Sequence, residues 1–461
     1  MPVHVHPLLK EINELFERQG KKLYLVGGAV RDMLRGKKNH DWDLATDATP
    51  AEVGEIFAGG RGPPLGRVVP TGVKHGTVTV FYRGESMEIT TFRTEASYSD
   101  GRRPDSVSYA ATIKEDLARR DFTMNAIALS LPGGQAVDPF GGGADIKAGI
   151  IRCVGDALER FSEDGLRPLR AARFAAQLGF ALDAGTLAAI PGALDVCAKV
   201  SPERVREELD KILLSDRPSR AFLIMEETGL LQLFLGELAA CRGVEQKGYH
   251  EFDVLDHSLL ACDYAAKRGY PLRILMAALL HDIGKPAVRE KDPASGIWTF
   301  YRHEEVSQAQ ARELMRRLRY SNAATDSVCH LVKEHMFHYT ADWSDAAVRR
   351  FVARVGEANL DDLYCLRRAD SYAAAAKETP PGFLLDLAQR AARVLEKSRA
   401  LSLKDLAVSG NDLMGIGIKG GKTMGLILNE LLEAVINDPE QNTQERLLAI
   451  AGNIARKLEA G

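Results

Sequence analysis

Two acidic residues, Asp41 and Asp43, stand two apart in His40-Asp-Trp-Asp-Leu-Ala-Thr46. On a strand that spacing turns both carboxylates to one face, where such a pair can hold Mg²⁺. Just upstream, the apolar run Leu23-Tyr-Leu-Val26 reads as a buried strand that breaks at Gly27-Gly28 and resumes as a helix with Asp32 and Arg35 near its start. A Gly-Gly turn lets phosphates approach backbone N–H groups. Each half also has an ordinary reading, a tight turn in one case and a solvated edge strand in the other. Placed within about twenty residues of each other, they describe a nucleotidyl-transfer site.

Further along, Glu88 lies on an expected strand, where a third carboxylate tunes metals or accepts a proton, or is simply half-exposed. Tyr98-Ser-Asp-Gly-Arg-Arg-Pro-Asp105 reads as a polar loop between strands. Arg119, Arg120, Asp121 and Asn125 gather forks suited to phosphate beside groups suited to a ribose hydroxyl; alone, such a cluster also fits a surface salt-bridge patch. Ser162-Glu-Asp-Gly-Leu-Arg-Pro-Leu-Arg170 opens a helix with Ser162 as its expected N-cap, and Asp164 and Arg167, three apart, share a face. An acceptor beside a rigid donor fork can pair with a base edge, or form an ordinary ion pair worth about 0.3 kcal/mol. Pro168 costs little if the helix starts near 165, whereas an earlier start would kink it and move Arg167.

At 461 residues the chain is too long for one core and suggests three or four units. Its net charge of −3 announces no global affinity for nucleic acid, so any RNA contact must come from local clusters. Six scattered cysteines without a Cys-x-x-Cys pair point to free thiols, with neither a zinc knuckle nor a disulfide framework. The N-terminus does not read as a targeting signal, and no run approaches the roughly 18 apolar residues of a membrane span. A cytoplasmic protein with no membrane contact and no obligatory protein partner is expected.

An amphipathic helix is expected over 1–20, and strands over 22–26, 41–45, 77–82, 86–92, 107–109 and 126–131. Beyond about 150 the strand signals stop and a helical period takes over. The fold class is therefore α+β: a head with a small sheet, then helical domains. The expected division is 1–150, 151–248, 249–375 and 376–461.

The motif Gly-Gly-x-Val-Arg-Asp with its following Asp-x-Asp resembles the polymerase-β-type nucleotidyltransferase head of class II bacterial tRNA nucleotidyltransferases, the CCA-adding enzymes, and of their poly(A) polymerase relatives. The resemblance implies two-metal transfer at Asp41, Asp43 and Glu88, with Mg²⁺ as cofactor. It implies that Gly27, Gly28, Arg31, Arg119, Arg120, Asp121, Asn125 and Arg170 hold the nucleotide, and that Asp164 and Arg167 select CTP and ATP. It makes 98–105 the loop that adapts the site from C to A addition, and Asp138-Pro-Phe-Gly-Gly-Gly-Ala-Asp-Ile146 a hinge between head and neck. Gly165 and Pro168 depart from the usual motif, which puts base selection in doubt. Ser201-Pro-Glu-Arg-Val-Arg-Glu-Glu-Leu209 is similar to the neck motif and is expected to support the template helix.

Seven of the eleven histidines fall between 250 and 338. The order His257, His281-Asp282, His303, His335, Asp370 is that of a metal-ligand set spread over several helices. It resembles the HD phosphohydrolase domain, which implies a divalent metal (Ni²⁺, Mn²⁺ or Co²⁺) and activity on, for example, 2′,3′-cyclic phosphates at RNA ends.

Gly420-Gly-Lys-Thr423 lacks the first glycine of a P-loop; Lys419 and Lys422 are instead expected to meet RNA phosphate. The function expected is C, C and A addition to tRNA from CTP and ATP. The alternatives are an A-adding or CC-adding partial enzyme, a poly(A) polymerase, and an HD phosphohydrolase with a non-catalytic RNA-binding head.

Overall fold

The computed structural model describes residues 5–37, 42–59, 65–96, 106–246, 252–377, 382–397 and 401–459. Asp41 and the 98–105 loop lie outside them. The chain forms two compact units, 1–239 with 317–319, and 240–316 with 320–461.

In the first unit β1 (Leu23–Val26), β2 (Trp42–Thr46), β3 (Arg67–Gly72), β4 (Thr77–Tyr82) and β5 (Glu85–Thr91) are followed by β6 (Arg93–Ala96), β7 (Ser106–Tyr109), β8 (Ala128–Ser130) and β9 (Gln135–Val137). Seven of them make a mixed sheet in the order β3-β4-β5-β2-β1-β8-β9, and β6 pairs with β7 as a separate ribbon. Alternating apolar residues such as Val78, Val80, Met87 and Ile89 are buried, as the period of two requires. The helix Pro7–Glu17 buries Leu8, Leu9, Ile12 and Phe16, and Phe16 meets Phe57 edge-on at 6.3 Å.

Two features aim the chemistry. Gly27 has φ +69°, which lets β1 turn straight into the helix Gly27–Leu34. The helix Ile113–Ala118 starts with a Thr112–Glu115 capping box, so its end delivers Arg119 and Arg120.

Within 138–146, Asp138 accepts from Gly142 and Gly143 N–H at 2.8 Å at the start of the helix Gly142–Ala148. Two expectations need correction. Ser162 caps nothing; it lies in the last turn of Ala157–Glu163, whose N-cap is Asp156. The next helix begins only at Arg167, so Pro168 sits in its first turn, where it costs little. Strands do not stop at 150 either, since Ile150–Ile151 pairs with Ala181–Leu182 and Glu290–Lys291 with Trp298–Thr299.

The second unit is helical apart from that last pair among the described residues. His257, His303 and Asp370 lie on helices Val254–Lys267, His303–Arg317 and Leu360–Ala375, while His281-Asp282 and His335 follow the ends of Leu272–Leu280 and Asn322–Glu334. The C-terminal helices Lys422–Asn437 and Gln444–Glu459 bury Ile427, Leu431, Val435, Leu447 and Ala451 together.

Candidate functional site

The first unit holds a cleft of about 690 Å³ lined by Gly27, Gly28, Arg31, Asp43, the 119–125 cluster, Asp164, Arg167 and Arg170. Asp43 is exposed on β2, and parallel pairing sets Glu88 of β5 directly beside it. A Cβ at Gly27 would stand 3.1 Å from Arg120 Nη1 and 3.2 Å from Asp43 Oδ2, so a glycine lets cation and carboxylate close over the turn.

The cations are held by carboxylates beneath them. Asp116, fully buried, accepts from Arg119 Nε at 3.0 Å and Nη2 at 2.8 Å, and from Arg120 Nη2 at 3.3 Å. Asp121 accepts from Asn125 Nδ2 at 3.1 Å and Arg170 Nη2 at 2.7 Å, while Arg31 Nη1 donates to Asn125 Oδ1 at 3.0 Å. Burial alone would raise the Asp121 carboxyl, but Arg170 and the Asn125 amide outweigh it and hold it down at about 2. Arg119, Arg120, Asp121 and Asn125 are thus one hydrogen-bonded layer, no surface patch.

Asp164 and Arg167 reach the same cleft; Arg167 N–H donates to the Asp164 carbonyl at 3.0 Å, but their side chains take other partners. Asp164 is in extended backbone (φ −141°, ψ 108°), one residue past a helix end. Gly165 makes that corner possible, because a Cβ there would lie 2.4 Å from the Val196 carbonyl oxygen. Arg167 donates to the Glu163 carboxylate, to Arg160 O at 2.8 Å and to Arg119 O at 3.1 Å. The partner of Asp164 is Arg204, with Nη2 to Oδ2 at 2.8 Å. Arg204 lay inside the quoted 201–209 motif, but forty residues of separation hide the pairing from sequence.

In the second unit all six expected ligands converge. His257 Nε2 is 3.1 Å from His281 Nε2 and 3.1 Å from Asp370 Oδ1; His303 Nε2 is 3.3 Å from His335 Nε2. Asp282 lies between the pairs, Oδ2 3.2 Å from His281 Nε2 and Oδ1 3.1 Å from His303 Nε2. Two triads, His257–His281–Asp282 and Asp282–His303–His335, have the spacing of cation sites. The rings of His281, His303 and His335 each face a carbonyl three residues back through Nδ1, which aims Nε2 inward. In their neutral forms the His303 and His335 lone pairs confront each other, and buried Asp282 Oδ1 has no hydrogen-bond donor. A divalent cation fits that donor set. Burial lowers both His281 and His335; Asp282 and Asp370 reverse this at His281, drawing it up to about 10, whereas charged His281 helps push His335 down to about 3. Lys285, buried, donates to Asp282 Oδ2 at 2.6 Å. No role was expected for it, although it follows Asp282 by only three residues.

Lys419 and Lys422 are exposed, and Lys419 lines a groove of about 610 Å³ with Ile416, Leu426 and Arg456. Among the described residues no helix is long and apolar enough to cross a membrane.

A turn from strand to helix, a carboxylate on the neighbouring strand and a ring of arginines define a nucleotidyltransferase head. Residues 23–152 match the model of the poly A polymerase head domain, 179–241 the "Probable RNA and SrmB-binding site of polymerase A", and 294–451 domain 2 of tRNA nucleotidyltransferase. The chain is 35% identical over 451 residues to the CCA-adding enzyme of Lactiplantibacillus plantarum, an alignment covering 97% of this chain and 96% of that one. It is similar to the crystal structure of the Bacillus stearothermophilus CCA-adding enzyme in complex with CTP, at 30% identity and TM-score 0.70, over 99% of this chain and 100% of that one. The Thermotoga maritima CCA-adding enzyme complexed with tRNA shares the fold at 21% identity and TM-score 0.58, over 98% and 99% of the two chains. The chain belongs to the CCA-adding enzyme family and is a nucleotidyltransferase.

Proposed function

We propose that this enzyme adds C, C and A to tRNA 3′ ends from CTP and ATP. The observation that carries this reading is the meeting of Asp43, the arginine layer, Asp164 and Arg167 in one cleft, with Glu88 beside Asp43 on the next strand. Mg²⁺, held by Asp43 with Asp41, would neutralise the triphosphate and polarise the attacking 3′-hydroxyl. Arg31, Arg119 and Arg120 orient the triphosphate, their geometry fixed by Asn125 and Asp116. Asp164 accepts from an exocyclic amino group and Arg167 donates to the adjacent ring nitrogen, a combination that fits cytosine and adenine. Lys419 and Lys422 contact RNA phosphate.

The test uses tRNA transcripts ending at the discriminator base, at C and at CC, with CTP, ATP and Mg²⁺. Completion of all three to CCA supports the reading. Extension of the CC form alone marks an A-adding enzyme, and arrest at CC the other partial type.

A second activity is proposed for the buried cluster, on the convergence of its six ligands. His257, His281, Asp282 and Asp370, with His303 and His335, would hold one or two divalent transition-metal ions, which supply an activated water for phosphoester hydrolysis. The expected substrate class is the 2′,3′-cyclic phosphate of an RNA end. Hydrolysis of a 2′,3′-cyclic nucleotide that depends on Ni²⁺, Mn²⁺ or Co²⁺ tests it; no turnover with any of the three sinks it.

A further inference from the structure

Both oxygens of Asp164 are already engaged before any base arrives. Arg204, from the helix Pro202–Leu213, presents a planar fork, Nη1 to Oδ1 at 3.1 Å and Nη2 to Oδ2 at 2.8 Å. Leu166 N–H donates to Oδ1 at 3.0 Å. A carboxylate offers about four acceptor positions, two on each oxygen. Among the described residues three are filled, and the remaining one is on Oδ2. A two-point fork also fixes the plane of the carboxylate, as a single hydrogen bond would not. Arg204 itself is only partly exposed and stands on the cleft wall with Asp164 and Arg167.

We propose that Arg204 is a specificity-determining positioning residue: by locking the plane of Asp164 it leaves one acceptor, Oδ2, for the exocyclic amino group of cytosine or adenine. Uracil and guanine carry a carbonyl oxygen at that position. It meets a fixed lone pair and is repelled, because the carboxylate cannot rotate to relieve the contact. Arg167 is anchored separately through Glu163 and two backbone carbonyls, so the loss of Arg204 frees the acceptor and leaves the donor in place. The inference rests on the reading of Asp164 and Arg167 as the base-selecting pair.

The experiment measures single-nucleotide addition by the full chain: CTP against UTP on a transcript ending at the discriminator base, and ATP against GTP on one ending at CC. Arg204→Gln removes the fork; Arg204→Lys keeps the charge and loses the two-point geometry. Both are expected to lower the CTP/UTP and ATP/GTP efficiency ratios by about tenfold, the scale of one good bidentate contact, with a smaller change in the rate for the correct nucleotide at saturation. Should the Gln variant fail to fold, judged by its melting curve, the Lys variant decides. Equal losses with correct and incorrect nucleotides would mark Arg204 as merely structural and overturn the proposal. So would unchanged ratios in a background where Asp164→Ala abolishes discrimination. If Asp164→Ala itself leaves the ratios intact, the base-selection reading fails instead.

Discussion

The cleft of the first unit and the cluster of the second are both dense in charge, but one lines its wall with arginines and the other gathers imidazoles around two carboxylates. In the cleft the arginines rest on acceptors beneath them: Arg119 and Arg120 share Asp116, Arg170 lies on Asp121, Arg167 on Glu163, Arg204 on Asp164 and Arg31 on Asn125. The cations are pre-positioned for an anion, Arg119, Arg120 and Arg170 still partly open to solvent and Arg167 buried. In the cluster the acceptors face one another. His303 and His335 approach through Nε2 at 3.3 Å, and buried Asp282 lies within 3.7 Å of four imidazoles. Lys285 and Arg367 offset part of the charge, donating at 2.6 Å to Asp282 and to Asp370 respectively. Burial by itself therefore separates the sites less than the sign of the charge each leaves uncompensated.

The largest effect that separates the two regions is expected from Asp43→Ala. It should lower nucleotide addition by about a thousandfold and leave metal binding by the cluster intact; a variant with near-normal addition breaks the comparison. Asp282→Ala is its mirror image. Ni²⁺ or Mn²⁺ should raise the melting temperature of the unaltered chain, since binding to the folded state alone stabilises it, and that rise should vanish in the variant while addition persists. Calorimetry with and without metal decides.

Gly165→Ala comes next, as a Cβ 2.4 Å from the Val196 carbonyl oxygen forces the corner open. A loss of about 2 kcal/mol is expected, read by denaturant titration, together with weaker base discrimination. The pH dependence of the first unit is a subtler probe. The Asp121 carboxyl, held at about 2 in the fold, lies below its unfolded value of about 4. Its stabilisation is therefore full above about pH 4 and lost as pH falls towards 2. Asp121→Asn should flatten that limb of the stability curve. Smallest of all, Lys419→Ala with Lys422→Ala should raise the KM for tRNA and reduce the salt dependence of binding by up to about two counterions, with KM for CTP unchanged.

Much of both sites is local enough to be legible in sequence. Gly27-Gly28 and Asp43 declare themselves by turn chemistry and strand period, and the His/Asp order is legible because each residue sits on a helix or just past the end of one. What escaped was tertiary. Ser162 looks like an N-cap, but Asp156 already caps that helix, so the acidic run that follows lies at its end. The spacing of Asp164 and Arg167 suggested neighbours on one helix face; a corner at Gly165 separates them, and Arg204 comes from forty residues away. The glycine run at 141–143 suggested looseness, whereas the Asp138 carboxylate ties its N–H groups into a helix start.

The most direct measurement places the unaltered chain, Asp43→Ala and Asp282→Ala side by side on one tRNA transcript ending at the discriminator base, with CTP, ATP and Mg²⁺, and resolves products to one nucleotide. The account predicts complete CCA from the unaltered chain and from Asp282→Ala, and none from Asp43→Ala. Addition by Asp43→Ala, or its absence in a folded Asp282→Ala, would contradict the assignment of nucleotidyl transfer to the cleft of the first unit.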